Sequence, residues 1–284
     1  MLTGFLTATA RGADNDALRY KFKEGEKLSY VTESKTTVEV DLGGDSVKPE
    51  TTLVLDMTWE ITKVDKDGRA TVTSTLGRVR FSTDTPDGKK SYDTKEGKEP
   101  DDEFLKLLVR PLKDLVGGQV TFTVDSRGQV DNVKPSEAVE KVVKSRPFLS
   151  ADIVRLLAES PLTFPKDAPK KGDSWTQKAE NTTPVGKMTF EMKYTCEGPA
   201  ERGGRKVEKT SIKLSGTADP KTPGGAKVEF KGGEGVAYFD RAAGRFLEVT
   251  ATQKLDTEQK IGKTTVTKKF IITMTTKLAE KEKP

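Results

Sequence analysis

Regular alternation of apolar and polar residues is the feature that most constrains the fold of this chain. From Met188 to Cys196 every second residue is apolar or aromatic, and Thr, Glu or Lys stands between them. The same period occurs between Leu53 and Ile61 and between Val266 and Leu278. Such a period predicts β-strands with one buried and one solvated face. These segments exceed the usual strand of about five or six residues, so they predict a large, curved, antiparallel sheet.

Short Asp- and Gly-containing segments separate the alternating runs. Asp65 to Gly68, Asp125 to Gly128 and Asp240 to Gly244 each place Asp at the end of one run and Gly just before the next. An Asp carboxylate can accept hydrogen bonds from the turn backbone, and Gly tolerates positive φ, so these segments predict β-hairpins. Asp65 to Gly68 also resembles part of a calcium loop but lacks its later ligands. Gly232 to Gly235 is predicted to be a flexible connection.

Helical periodicity is confined to residues 101–160. Asp101 and Asp102 are suited to cap a helix in which Pro111 introduces a kink or break, and two further amphipathic segments follow at Ser136 to Lys144 and Ser150 to Ser160. The sequence therefore predicts a mainly β protein with a minor helical insertion, an α+β arrangement in which short helices cover the concave face of the sheet.

Three pairs of similar segments occur in the same order in the two halves. Lys23 to Leu28 parallels Lys170 to Trp175, Met57 to Ile61 parallels Met188 to Met192, and Val120 to Phe122 parallels Val236 to Tyr238. They predict two related β lobes, residues 18–160 with the helical insertion at about 101–160 and residues 172–278. A Pro-rich connection at 161–171 separates the lobes, and residues 279–284 form a charged tail.

Three longer segments carry a resemblance to a known family: Tyr20 to Tyr30, Lys171 to Trp175 and Tyr238 to Val249. With them the chain resembles an uncharacterised family of exported bacterial β-rich proteins of the planctomycete type. The architecture of that family is similar to that of periplasmic lipoprotein carriers, in which a curved antiparallel sheet wraps over helices. The resemblance implies a fold but no activity and no functional residues.

The N-terminus has the composition of a signal peptide. Residues 1–13 form a short apolar stretch with an Ala8-Thr9-Ala10 motif before a polar boundary, and they are expected to be the truncated end of a secretory signal. No other segment has the apolar length of a membrane span. The expected location is therefore periplasmic or extracellular.

Composition excludes several classes of function. The chain has no His and one Cys, so an intrachain disulfide or a conventional transition-metal site is not expected. No nucleophile elbow, phosphate loop or dinucleotide motif occurs, so no enzyme activity and no cofactor are predicted. Its 49 basic and 44 acidic residues are interspersed, which argues against nucleic-acid binding. A hydrolase using two carboxylates is the enzymatic alternative.

The apolar faces of the strands suggest a ligand site. If the helices cover a curved sheet, its apolar residues either fill a solid core or line a cavity. The second case predicts a non-enzymatic extracytoplasmic binding or carrier module for a lipid or another apolar ligand. The alternative is a structural protein that interacts with a cell-envelope component. The residues predicted to line the site are Met57, Trp59, Met188, Phe190, Phe270 and Ile272.

Overall fold

The computed structural model describes residues 18–41, 46–85, 88–97, 103–145, 154, 156–158, 160, 162–183, 186–218, 227–261 and 264–279. The proposed signal segment, most of the charged tail and the capping residues Asp101 and Asp102 lie outside these ranges. The strands are β1 Lys27–Asp41, β2 Ser46–Val47, β3 Glu50–Val64, β4 Ala70–Thr85, β5 Gly88–Asp93, β6 Gln119–Val124, β7 Val130–Pro135, β8 Ser174–Thr183, β9 Gly186–Arg202, β10 Arg205–Ala218, β11 Lys227–Asp240, β12 Arg245–Ile261 and β13 Thr264–Leu278. The helices are α1 Glu103–Lys113 and α2 Glu137–Ser145.

All of these strands belong to one open antiparallel sheet, as the alternation predicts. Its order is β7-β6-β4-β3-β1-β13-β12-β11-β10-β9-β8, with β2 beside β1 and β5 beside β4. The first long strand pairs with the last, and the register sets Tyr30 opposite Leu278 and Val38 opposite Phe270. The N-terminal and C-terminal halves are therefore hydrogen-bonded into one continuous sheet. The division into two related lobes stays a prediction.

The long alternating segments form long strands. β9 and β12 each have 17 residues, and β4 has 16. Along β4 buried residues alternate with half-buried ones for most of the strand, because successive side chains point to opposite faces. One face, here called the inner face, carries Tyr30, Met57, Tyr194 and Ile212, all of which are buried. The opposite, outer face carries Thr, Lys and Glu.

The predicted hairpin turns are confirmed at the atomic level. The Asp65 carboxylate accepts hydrogen bonds from the backbone N–H groups of Asp67 and Arg69, both at 2.9 Å. The Asp125 carboxylate accepts the same pair of bonds from Arg127 and Gln129. Gly68 and Gly128 supply the left-handed backbone with φ of 76° and 86°.

The prediction for the glycine-rich segment is wrong. Gly232 to Gly235 is not a flexible connection but lies inside strand β11. The pairing of β11 with β12 skips one residue between Phe230 and Gly232, and Gly232 has φ of 88°. The chain therefore forms a β-bulge at Lys231 and Gly232, at which a strand bends and its twist increases.

Helices α1 and α2 pack on the first half of the inner face. Leu105 and Val109 of α1 pack against Phe81 and Tyr92, and Val139 of α2 is fully buried in the main core. Of the third predicted helix, residues 154 and 156–158 are helical. Pro111 lies inside α1 without ending it.

An extended segment at Tyr20 and Lys21, here called the strap, joins one end of the sheet to its middle. The backbone N–H of Tyr20 donates to Ser126 of the β6–β7 hairpin at 2.7 Å, and that of Lys21 donates to Gly244 of the β11–β12 hairpin at 2.9 Å. The Tyr20 ring makes a T-shaped contact with the Phe239 ring, with 5.2 Å between the centroids. It is tilted relative to the Phe164 ring, with 5.9 Å between the centroids. Strands far apart in the sheet order are thus held in one core.

The two halves begin with the same local turn. The backbone N–H of Gly25 donates to Ile61 at 2.8 Å, and that of Gly172 donates to Cys196 at 2.7 Å. Both glycines have positive φ, 78° and 91°. In each half the turn therefore fastens the start of the first long strand to the strand beside it.

Candidate functional site

A large groove lies over the inner face of the second half of the sheet. We call it the apolar groove, and its volume is about 700 Å³. Strands β8, β9, β10, β12 and β13 form its floor, while the β6–β7 hairpin and residues Ala158, Ser160 and Thr163 form its wall. Its lining residues are Gly128, Gln129, Val130, Val133, Ala158, Ser160, Thr163, Gln177, Lys178, Ala179, Phe190, Met192, Tyr194, Ile212, Leu214, Val249, Ala251, Gln253, Met274 and Thr276.

Strand register explains why these side chains meet. In antiparallel pairs, directly opposed residues share a face, so a row of partners crosses the sheet. One row consists of Gln177, Met192, Leu214, Gly233, Gln253 and Ile272, and the adjacent row consists of Trp175, Tyr194, Ile212, Gly235, Ala251 and Met274. The two rows cross six strands and place apolar side chains from five of them side by side on the inner face, because β11 contributes only glycines.

Glycines in β11 shape the middle of the floor. Gly233 and Gly235 place no side chain on the inner face, which leaves room above β11. A Cβ atom on Gly235 would lie 2.5 Å from the Thr250 carbonyl oxygen of β12. Next to the bulge at Gly232, the backbones of β11 and β12 thus approach so closely that a residue with a Cβ atom would clash at position 235. A bulge at such a position bends its strand and increases its twist.

The wall is fixed by hydrogen bonds from both halves of the protein. The Tyr20 hydroxyl donates to the Leu162 carbonyl at 2.8 Å, and the Ser160 hydroxyl donates to the Tyr20 oxygen at 2.9 Å. The Trp175 indole N–H donates to the Thr163 carbonyl at 2.8 Å. The backbone N–H of Phe164 donates to Arg127 at 2.8 Å. Residues 162–164 therefore bridge the β6–β7 hairpin and edge strand β8.

Several apolar side chains on the floor of this groove are only partly buried. Phe190, Met192 and Leu214 are half-buried, and Met274 retains 43% of its exposure. Over the first half of the same face, by contrast, Leu55 and Met57 are only 2% and 5% exposed. The inner face is thus closed around Leu55 and Met57. In the second half Tyr194 and Ile212 are buried as well, but the side chains of the four groove residues just named stay accessible.

The structure places the sequence-predicted lining residues in two different environments. Phe190 lines the apolar groove. Met188, Phe270 and Ile272 occupy the same inner face but lie outside the groove lining. Met57 and Trp59 are buried in the first half, beside a small cavity of about 80 Å³. Whether any of them contacts a ligand stays a prediction.

Sequence reasoning missed most of the groove. Ile212, Leu214, Val249 and Gln253 line it but were not among the predicted residues. Alternation within β10 and β12 is the signal that could have placed them on the inner face. That signal does not show which strands would be left uncovered.

Titratable chemistry is sparse on this face. Cys196 is 2% exposed and lies opposite Thr210, and burial raises the pKa of its thiol, as expected for a small core residue rather than a reactive one. Within the described ranges, no three His, Cys, Asp or Glu residues are grouped so that they could hold a metal ion. In the same part of the chain, no helix has the length and apolarity needed to cross a membrane.

Comparison with known proteins gives structural similarities only. No protein-family model matches the chain, and no curated protein sequence matches it. Lipovitellin, in a structure concerned with lipid–protein interactions, aligns over 93% of this chain but only 27% of its own length, with 10% identity and a TM-score of 0.45. A DUF1329 family protein from Desulfovibrio piger aligns over 89% of this chain and 87% of its own, with 8% identity and a TM-score of 0.16. An outer membrane lipoprotein-sorting protein domain from Vibrio parahaemolyticus aligns over 89% and 87%, with 9% identity and a TM-score of 0.17.

Proposed function

We propose that this chain is an exported, non-enzymatic module that binds or carries a lipid or another apolar ligand in the apolar groove. The observation that carries the proposal is the groove itself, about 700 Å³ in volume, over half-buried apolar side chains. Ligand sites in proteins typically occupy about 300–1,000 Å³ and are lined by apolar side chains with a few polar groups. The apolar groove fits both criteria.

Burial of apolar surface supplies the driving force for binding. Phe190, Met192, Leu214 and Met274 leave apolar area in contact with water. Each Å² of that area covered by a ligand contributes about 25 cal/mol. An apolar ligand that covers this floor therefore removes exposed apolar surface from water, which favours binding.

The groove is also formed and hydrogen-bonded in the chain without a ligand. Its floor strands β9, β10, β12 and β13 are hydrogen-bonded on both sides, and its wall is held by the bonds of Tyr20 and Trp175. A preformed site loses little conformational entropy on binding, so more of the burial energy appears as affinity. The preformed groove supports a binding or carrier role.

Direct detection of a ligand tests the proposal. Purified full-length chain is extracted with organic solvent and examined by native mass spectrometry, and displacement of a fluorescent long-chain acyl probe gives the affinity. Ala179→Trp places an indole in the groove from edge strand β8 and should weaken the probe at least about tenfold. Ala242→Trp, at an exposed turn residue, is the matched control and should bind normally.

A negative binding result would contradict the proposal. If no lipid is recovered and the wild-type chain binds no acyl probe, the groove is not a ligand site. The alternative of a structural protein that contacts a cell-envelope component would then be preferred.

A further inference from the structure

We propose that the apolar groove selects an uncharged amphiphile, an acyl chain joined to an ester or amide carbonyl, over the same chain with an ionised head. This inference rests on the proposed function and names the ligand class for that site. It follows from two independent observations, the charges on the groove lining and the position of one amide side chain.

Charged side chains are almost absent from the lining. Of its twenty residues only Lys178 carries a charge at neutral pH. Lys178 lies between inner-face residues Gln177 and Ala179, so its side chain points to the outer face, where it pairs with Glu191 at 3.4 Å. An ionised group drawn into the groove would lose hydration without gaining a counter-charge, which is costly. The lining therefore disfavours a carboxylate or phosphate inside the groove.

Gln253 is the polar exception in the middle of the floor. It stands between Gly233 and Ile272 in its row. Its side chain has no hydrogen-bond partner within the described part of the chain, although the residue is half-buried. The amide of Gln177, at the end of the same row, donates only a long bond of 3.4 Å to Thr163.

The Gln253 side chain matches a carbonyl-containing ligand. Its NH₂ group can donate two hydrogen bonds and its oxygen can accept two. A ligand ester or amide carbonyl would accept one of these donors without bringing a charge to the floor. A hydrogen bond formed there, away from most of the water, contributes about tenfold to affinity.

Three compounds with one 18-carbon chain and different end groups test the inference on the full-length protein. Monooleoylglycerol, oleate at pH 8 and 1-octadecene are compared by displacement of a fluorescent acyl probe. We expect monooleoylglycerol to bind at least about tenfold more tightly than oleate. Gln253→Leu should weaken monooleoylglycerol about tenfold and leave 1-octadecene unchanged or tighter. Gln259→Leu, an exposed position on the same strand and outside the groove, should alter neither.

The outcomes separate this inference from the proposed function. Binding of oleate as tight as that of monooleoylglycerol, or equal binding by the wild type and Gln253→Leu, overturns the selectivity but keeps an apolar-ligand protein. Failure of all three compounds to bind overturns both.

Discussion

Met274 of β13 lies directly opposite Ala251 of β12, and both side chains face the apolar groove. Met274 is 43% exposed, while Ile271 on the outer face of the same strand is 45% exposed. The two residues thus match in exposure and differ in the face that they occupy.

This pair gives the sharpest test of which face binds. Met274→Glu should lower the affinity for an apolar probe at least about tenfold, because it places an unpaired carboxylate on the groove floor. Ile271→Glu should leave the affinity unchanged. Because both positions are solvated, each variant should change the free energy of unfolding by less than about 0.5 kcal/mol. Probe titration and urea unfolding measure both effects, and equal loss of binding in the two variants would rule out the groove as the site.

The close approach of β11 to β12 predicts that one added methyl group at Gly235 lowers the stability of the protein. Gly235→Ala brings a Cβ to 2.5 Å from the Thr250 carbonyl, so we expect the free energy of unfolding to fall by about 1–3 kcal/mol. Gly77→Ala on β4 is the control, because a Cβ there would meet only the Asp56 carbonyl at an ordinary 3.6 Å. Urea denaturation of the two variants gives the comparison. Similar stability of both would mean that β11 does not require its glycine.

Asp93 should govern part of the acid stability. The Arg78 guanidinium, bonded through Nε to Oδ1 at 2.9 Å and through a second nitrogen to Oδ2, lowers the pKa of Asp93 to about 2 from an ordinary 3.8. A depressed carboxyl pKa contributes stability that is complete above the unfolded-state pKa and is lost as the pH falls through the folded-state pKa. The loss should therefore lie between about pH 4 and pH 2.

Asp93→Asn should flatten the stability profile in that interval and lower the stability at pH 7. Arg78→Gln removes the same ion pair from the other side and should give the same flattening. Urea unfolding at a series of pH values provides the measurement. A profile for Asp93→Asn that parallels the wild type down to pH 2 would contradict the assignment.

Sequence patterns predicted the strands and turns because both depend on local chemistry. The alternation from Met188 to Cys196 marks one face of β9 whatever strand lies beside it. Asp65 and Asp125 need only their own turn backbones to form their hydrogen bonds. These features require no knowledge of distant contacts.

Other features depend on distant contacts and were not predictable in that way. The pairing of β1 with β13 joins residues at opposite ends of the sequence. The β11 glycines have no side chains and so show no alternation of apolar and polar residues. The bulge at Gly232 also shifts the two-residue period along the strand, so the sequence pattern does not predict a strand there. Met57 and Met192 follow the same alternating pattern, yet of the two only Met57 is buried, because burial depends on which distant parts of the chain pack over each strand.

The hydrogen bonds of the Tyr20 hydroxyl in the groove wall predict a contribution of this group to the stability of the protein. Tyr20→Phe removes the hydrogen bonds that join Tyr20 to Leu162 and Ser160, so we expect a loss of about 1 kcal/mol in the free energy of unfolding. Tyr238→Phe is the control. Its ring lies 5.0 Å from the Arg202 guanidinium and keeps that contact without the hydroxyl. Equal stability of Tyr20→Phe and the wild type would show that the strap does not depend on these bonds.

Site-resolved photolabelling tests the central claim most directly. An uncharged acyl ester with a diazirine on its chain is bound to the purified full-length protein, irradiated and mapped by peptide mass spectrometry. The groove predicts crosslinks to inner-face residues such as Phe190, Met192, Leu214 and Met274, and their loss in Met274→Glu but not in Ile271→Glu. Crosslinks confined to the outer face, or none that exceed those of the denatured chain, would contradict it.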